Sequence, residues 1–89
     1  MSTVFIALQA NEETRPIIEA IEQDNPNAVV NHQPAMVKID CEDRMVVRRE
    51  TIEELIGRDF DLQEIQVNLI SLSGHLDETD DEMTLYWNA

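Results

Sequence analysis

The residues of this chain that could do chemistry are few, and each has a definite requirement to meet. His32 and His75 are its only histidines and Cys41 its only cysteine. A zinc centre needs four ligands, usually anchored by a short-spaced pair, and no such pair exists here. The histidines therefore read as two solvent-facing polar residues. Cys41 shares the apolar phase of Val37 and Ile39, with no adjacent histidine or helix start to activate a thiolate, so it reads as a small buried hydrophobe. The run Asp77-Glu78-Thr79-Asp80-Asp81-Glu82 concentrates negative charge, as a hard cation would want, but lacks the spacing and turn glycine of a calcium loop. It is expected to be a solvated hairpin loop. Asp59 and Asp61 flank Phe60 and would point apart on an extended segment, with Phe60 anchored in the core and both acids wet. Ser71 and Ser73 have no histidine at useful spacing for a nucleophilic triad. The two glycines, Gly57 and Gly74, stand at expected helix and strand ends, not in a phosphate-binding loop. No catalytic constellation emerges.

The elements around these residues carry a strong charge imbalance. Nineteen acidic residues against six basic ones give a net charge of −13, yet 43% of the chain is hydrophobic. An acidic tail without apolar residues stays disordered; this chain has enough of them to fold. A compact domain with so negative a surface makes nucleic acid and anionic membrane improbable direct partners, and a positively charged or charge-patterned protein surface the natural one. Residues 1–89 are read as a single domain burying roughly 60–65% of its unfolded surface, too small for a core plus a deep enclosed active site. One cysteine excludes an internal disulfide and suits a reducing, cytoplasmic setting. The N-terminus lacks the pattern of a signal peptide, and no apolar run approaches the ~20 residues of a membrane span. Lys38, Arg44, Arg48, Arg49 and Arg58 cluster mid-chain.

The hydrophobic pattern predicts a strand over Thr3–Gln9 with apolar residues on both faces, hence central in its sheet and covered on both sides. A helix follows, capped by Thr14 or Asn11, with Pro16 in its first turns and an Ile17, Ile18, Ile21 stripe. Asp24-Asn25-Pro26-Asn27 stops it. Strands are expected at 28–32 and 35–41, separated by Gln33-Pro34, and at 44–49 after a Glu42-Asp43 turn. Thr51-Ile52-Glu53-Glu54 has the form of a capping box for a short helix that buries Ile52, Leu55 and Ile56 and ends at Gly57 in a left-handed cap. Residues 65–73 read as a strand whose apolar phase slips, which predicts a β-bulge or change of sheet near Leu69-Ile70. Met83, Leu85 and Trp87 mark the last strand. The order strand–helix–strand–strand, twice, with mainly antiparallel sheets, makes an α+β fold.

Three segments add a resemblance: 24–36, from Asp24-Asn25-Pro26-Asn27 to Gln33-Pro34-Ala35-Met36; 55–65, containing Gly57-Arg58-Asp59-Phe60-Asp61; and Asn68-Leu69-Ile70-Ser71-Leu72-Ser73-Gly74. Over essentially its whole length the chain resembles the small regulatory (effector, or coupling) component of bacterial multicomponent phenol hydroxylases. It is similar, more distantly, to regulatory protein B of soluble methane monooxygenase, without the long N-terminal tail of that protein. The resemblance implies a non-catalytic protein with no metal or organic cofactor and no small-molecule substrate of its own. Its implied partner is a large hydroxylase with a diiron centre that activates dioxygen, fed with electrons from NADH by a separate reductase. The regulator is expected to dock above the diiron site, change its geometry and access, and raise and couple turnover.

The expected contact residues are Asn31, His32, Gln33 and Pro34, a polar connection between strands, with Ser71, Leu72, Ser73 and Gly74 after the phase slip. An ordinary hairpin turn and a plain edge strand are the competing readings of these two groups. The free protein could pair with a second copy through an exposed strand edge. A rival function is an acidic inhibitor or DNA mimic occupying a basic groove, although the basic residues from Lys38 to Arg58 sit poorly with an all-negative mimic. A stand-alone ligand-binding domain or enzyme of α+β type is the third reading.

Overall fold

A computed structural model describes residues 2–87. The first strand, β1 (Thr3–Gln9), leads through a tight turn into helix α1 (Arg15–Asp24), followed by β2 (Val29–His32) and β3 (Met36–Glu42). β4 (Arg44–Arg48) runs directly into α2 (Arg49–Ile56). A short 3-10 turn (Leu62–Glu64) and the single helical turn α3 (Ile65–Asn68) precede β5 (Leu69–Ser73), β6 (His75–Glu78) and β7 (Glu82–Tyr86). The larger sheet has the order β2-β3-β1-β5 and the smaller one β4-β7-β6, all pairs antiparallel. This is an α+β fold.

One core fills the space between the inner faces of both sheets and the helices. Val4, Ile6 and Leu8 pair across the larger sheet with Cys41, Ile39 and Val37, and Ile17, Ile18 and Ile21 of α1 join the same cluster. Met45, Val47, Met83 and Leu85 extend it to the smaller sheet.

Several local expectations hold. α1 has Pro16 in its first turn, where a missing N–H costs least. The Thr14 hydroxyl turns away from the helix and donates to the Gln9 carbonyl at 2.7 Å, while the Asn11 carboxamide accepts from the Thr14 N–H. Gly57 closes α2 in the left-handed region at φ 73°, and Phe60 is buried between exposed Asp59 and Asp61.

Four expectations are corrected. α2 starts at Arg49 with Arg48 as its cap residue and no side-chain cap, so Thr51 lies inside the helix. The capping box belongs instead to Asp61 and Glu64: Asp61 accepts from the Gln63 N–H at 2.9 Å and Glu64 from the Asp61 N–H at 3.0 Å. Leu55 is exposed and leaves Ile52 as the buried residue of α2, with Ile56 half-buried. Residues 65–68 are helical, so the apolar phase slip marks a change from helical to strand period. The bulge nevertheless falls where expected: Ala7 pairs with Ser71 and Leu8 with Leu69, leaving Ile70 as the extra residue. Part of the acidic run, Asp77 and Glu78, is strand β6, so the second unit has one strand more than predicted, and the turn is reduced to residues 79–81.

Asn25 does more than stop α1. Its carboxamide donates to the Ile21 carbonyl at 2.8 Å and the Val46 carbonyl at 2.7 Å, and accepts from the Val46 N–H at 2.9 Å. A buried side chain thus clips the end of α1 to β4. Asn25→Ala leaves the inward-facing β4 backbone groups without partners and is expected to cost about 2–4 kcal/mol, measured by urea denaturation. A cost below about 0.5 kcal/mol, the range of an ordinary surface change, would refute the clip.

Candidate functional site

The central strand β1 is covered by helices on one side only. Direct cross-strand partners share a face, so Val29, Asp40, Phe5 and Ser73 form one row across the larger sheet, and Asn31, Lys38, Ala7 and Ser71 form the next. Their side chains point away from the helices, and the core cluster takes no residue from either row. The expectation of cover on both sides of β1 holds only in part: Ala7 is buried, but Phe5 is only half-buried.

The two central rows of this outer face are neutral on a strongly acidic molecule, with Glu42 at the end beside Thr3. The charges of those rows, Lys38 and Asp40, lie 3.5 Å apart and offset each other. Asn31 donates to Asp40 at 3.1 Å, and the Lys38 ammonium lies 4.5 Å from the centre of the Phe5 ring. Exposed Val29 stands at the β2 edge and exposed Ile70, at the bulge, at the β5 edge. A bulge at a sheet edge re-aims side chains and interrupts pairing, which leaves Ile70 outside the ladder. Depletion of charge at the centre, with apolar residues among small polar ones, is the composition of an interface core.

The eight expected contact residues divide between places. Asn31 and Ser71 share a row, and Ser73 lies in the adjoining row on the same face. The outer strands β2 and β5, which carry Asn31 and the two serines, are three strand spacings apart, about 14 Å. His32 and Leu72 belong to the opposite phase: His32 lines a shallow groove with Ile18, Glu19 and Glu22, and Leu72 packs against the core. Gln33 and Pro34 lie in the hairpin turn joining β2 to β3, closed by a Gln33 N–H bond to the Met36 carbonyl at 2.8 Å. Gly74 sits at the other end of the sheet, where the chain passes from the larger sheet to the smaller. Sequence reasoning missed Val29, Phe5, Lys38, Asp40 and Ile70. The alternation of Lys38 and Asp40 on a strand paired with Phe5 and Ala7 was the signal for them.

The candidates for chemistry stay apart. Both histidines are exposed, and among the described residues no group of three His, Cys, Asp or Glu side chains is placed to hold a metal ion. Burial pushes the Cys41 thiol up, away from the thiolate a nucleophile needs. The Glu64 carboxyl is held below its ordinary value, first by the Asp61 N–H and then by Arg58, so it serves as a cap acceptor. An open concavity of about 770 Å³ is lined by Glu53, Asp59, Asp61, Glu64 and Asp80 with Arg49. Three of its five acids are engaged locally: Glu53 accepts from the Phe60 N–H, while Asp61 and Glu64 form the capping box. Among the described residues no helix is long and apolar enough to cross a membrane.

The fold agrees with what comparison with known proteins finds. The family model of MmoB/DmpM proteins matches residues 2–86. The chain belongs to the MmoB/DmpM family. It is 51% identical, over 97% of its length and 96% of the relative's, to the phenol 2-monooxygenase stimulatory component DmpM of Pseudomonas sp. (strain CF600). Its structure resembles a chain of a phenol hydroxylase–regulatory protein complex with a TM-score of 0.94 and 49% identity, covering 98% of this chain and all of that one. The soluble methane monooxygenase regulatory protein B shares the fold at a TM-score of 0.77 and 24% identity, with 97% of this chain matching 65% of that one.

Proposed function

We propose that this family member is the cofactor-free stimulatory component of a bacterial multicomponent phenol or related aromatic monooxygenase. It works in the cytoplasm, binds the hydroxylase component, alters the conformation and access of its diiron site, and stimulates and couples ring hydroxylation without catalysing it. The observation that carries this reading is the 51% identity, over nearly the whole chain, to a phenol 2-monooxygenase stimulatory component. The outer face, neutral in its central rows, supports it by offering a docking surface, to which Asn31, Ser71 and Ser73 contribute, with the Gln33-Pro34 turn at its margin.

A regulator can shift its partner only by binding one conformation more tightly than another. Moving a hydroxylase from 1:99 to 99:1 in favour of the reactive form takes about 5.5 kcal/mol of preference. A tenfold to hundredfold stimulation takes about 1.4–2.8 kcal/mol, well within what one well-packed patch supplies. The acidic remainder of the surface steers encounter and sets its salt dependence without adding much affinity.

The test is a titration of purified hydroxylase and reductase with this protein, following NADH and oxygen consumed and catechol formed from phenol. Product is expected to rise severalfold and to saturate near one regulator per active site. Added salt should slow association more than it lowers the plateau. Unchanged product across the titration with a cognate hydroxylase would overturn the assignment.

A further inference from the structure

The smaller sheet also carries a face turned away from the core. Arg44, Tyr86 and His75 pair directly across its three strands and share one row of that face. The His75 ring centre lies 5.9 Å from that of Tyr86 and 5.6 Å from that of Trp87, the latter edge-on. The Trp87 indole N–H donates to the Thr3 carbonyl at 3.0 Å, which fixes the ring, and the residue remains 41% exposed. Asp77 shares this face, opposite Thr84 in the adjoining row, and raises the pKa of the Tyr86 hydroxyl, first through hydrogen bonding and then through its charge.

Arg44 differs from the other arginines and the lysine. Arg15, Lys38, Arg48, Arg49 and Arg58 all form ion pairs, whereas Arg44 forms none among the described residues. Trp87 and Tyr86 are the sole tryptophan and tyrosine. An acidic protein has thus placed the one guanidinium left unpaired among the described residues in a row with Tyr86, whose chain neighbour is Trp87. Tryptophan, tyrosine and arginine dominate the residues that carry binding energy in protein interfaces.

We propose that this corner is a second point of attachment to the hydroxylase, at which Arg44 receives an aspartate or glutamate side chain of the partner while Trp87 and His75 cover the pair from water. The proposal rests on the regulatory reading above. Charge decides the occupant: the rest of the surface repels a carboxylate, and Arg44 is where one gains a bidentate, charge-assisted partner. Position supports it too. Trp87 holds the Thr3 backbone at the edge of the outer face, and His75 follows Ser73 and Gly74 directly, so one partner surface can span both.

The experiment compares hydroxylase binding by wild type, Arg44→Gln and Arg15→Gln, using calorimetry, with urea stability measured alongside. Both variants remove one positive charge, and Arg15 makes only an exposed pair with Glu12. Arg44→Gln should weaken binding by about tenfold or more, with stability unchanged because Arg44 has no ion pair to lose. Arg15→Gln should stay within about twofold. Equal weakening by both variants would reduce the effect to net charge and overturn the proposal, as would wild-type affinity in Arg44→Gln. Wild-type protein that neither binds nor stimulates a cognate hydroxylase would instead remove the regulatory reading itself. A readout on the wild-type fold comes from 5-fluorotryptophan incorporated at Trp87: its 19F solvent-isotope shift should shrink on binding, and an undiminished shift in the saturated complex contradicts burial of this corner.

Discussion

Ser71→Glu is expected to leave the domain folded and to abolish stimulation of the hydroxylase. Ser71 is exposed at the β5 edge and shares its row with Ala7, Lys38 and Asn31. In the free protein a glutamate there remains in water, so its effect on folding should stay within about 0.5 kcal/mol. Docking changes its surroundings. The cation of that row, Lys38, is already matched by Asp40 and lies over Phe5, so a new carboxylate buried by docking has no partner from its own side. An unpaired charge buried this way costs about 3–5 kcal/mol, which corresponds to a loss of affinity of roughly a hundredfold to several thousandfold.

The measurement is the catechol titration repeated with the variant, together with its urea midpoint. Ser71→Ala serves as the control, because it adds no charge to the face and should stimulate nearly as wild type. Val29→Glu, on the same face at the opposite edge, should act in the same direction. If Ser71→Glu stimulates at wild-type concentrations, the outer face is not where the hydroxylase docks. If it fails only because it is unfolded, the urea midpoint will say so, and Val29→Glu then decides.

How much of this was legible in the sequence differs from one element to the next. The strand over Thr3–Gln9 and the helix after it were readable because period and punctuation agree there: an apolar run, then Pro16, then an isoleucine stripe. The Gly57 cap was readable because a left-handed residue has few alternatives to glycine. Residues 65–68 were not, because Ile65, Val67 and Leu69 spaced two apart imitate a strand. Deciding otherwise took tertiary context: Asn68 is buried, accepts from the Asn11 carboxamide at 2.8 Å and donates to Glu13, and this fastens the helical turn to the start of α1. The two capping-box matches show the same limit. Thr51 to Glu54 and Asp61 to Glu64 both fit the local pattern, and only the route of β4 into α2 decides which is used. For the candidate site, the sequence identified residues at Asn31 and at Ser71 and Ser73 but could not show that they share a face. That follows from β5 leaving its own unit to pair with β1, a long-range choice that local pattern does not encode.

Gly74→Ala tests that long-range choice. Gly74 has φ 131° and joins β5 of the larger sheet to β6 of the smaller. A Cβ built there would lie 2.9 Å from Val4 Cγ1 and 3.4 Å from the Tyr86 backbone nitrogen and oxygen. Val4 is fully buried and cannot swing aside. Backbone strain of about 1–3 kcal/mol and overpacking of a similar size together predict a loss of about 2–6 kcal/mol. That is a large share of the roughly 5–15 kcal/mol that holds such a domain folded, and Tm should fall by about 10–30 °C. The clash itself can be isolated. Val4→Ala removes the offending methyl at the cost of a cavity, so Val4→Ala combined with Gly74→Ala should be less destabilised than the two single losses added, by about 1 kcal/mol or more. Strict additivity would confine the penalty to the backbone angle, and an unaltered Gly74→Ala midpoint would contradict both terms. Stimulation by the folded fraction of Gly74→Ala, measured well below its midpoint, should stay close to wild type. That outcome would assign Gly74 to turning the chain between the sheets, and leave contact with the hydroxylase to the serines before it.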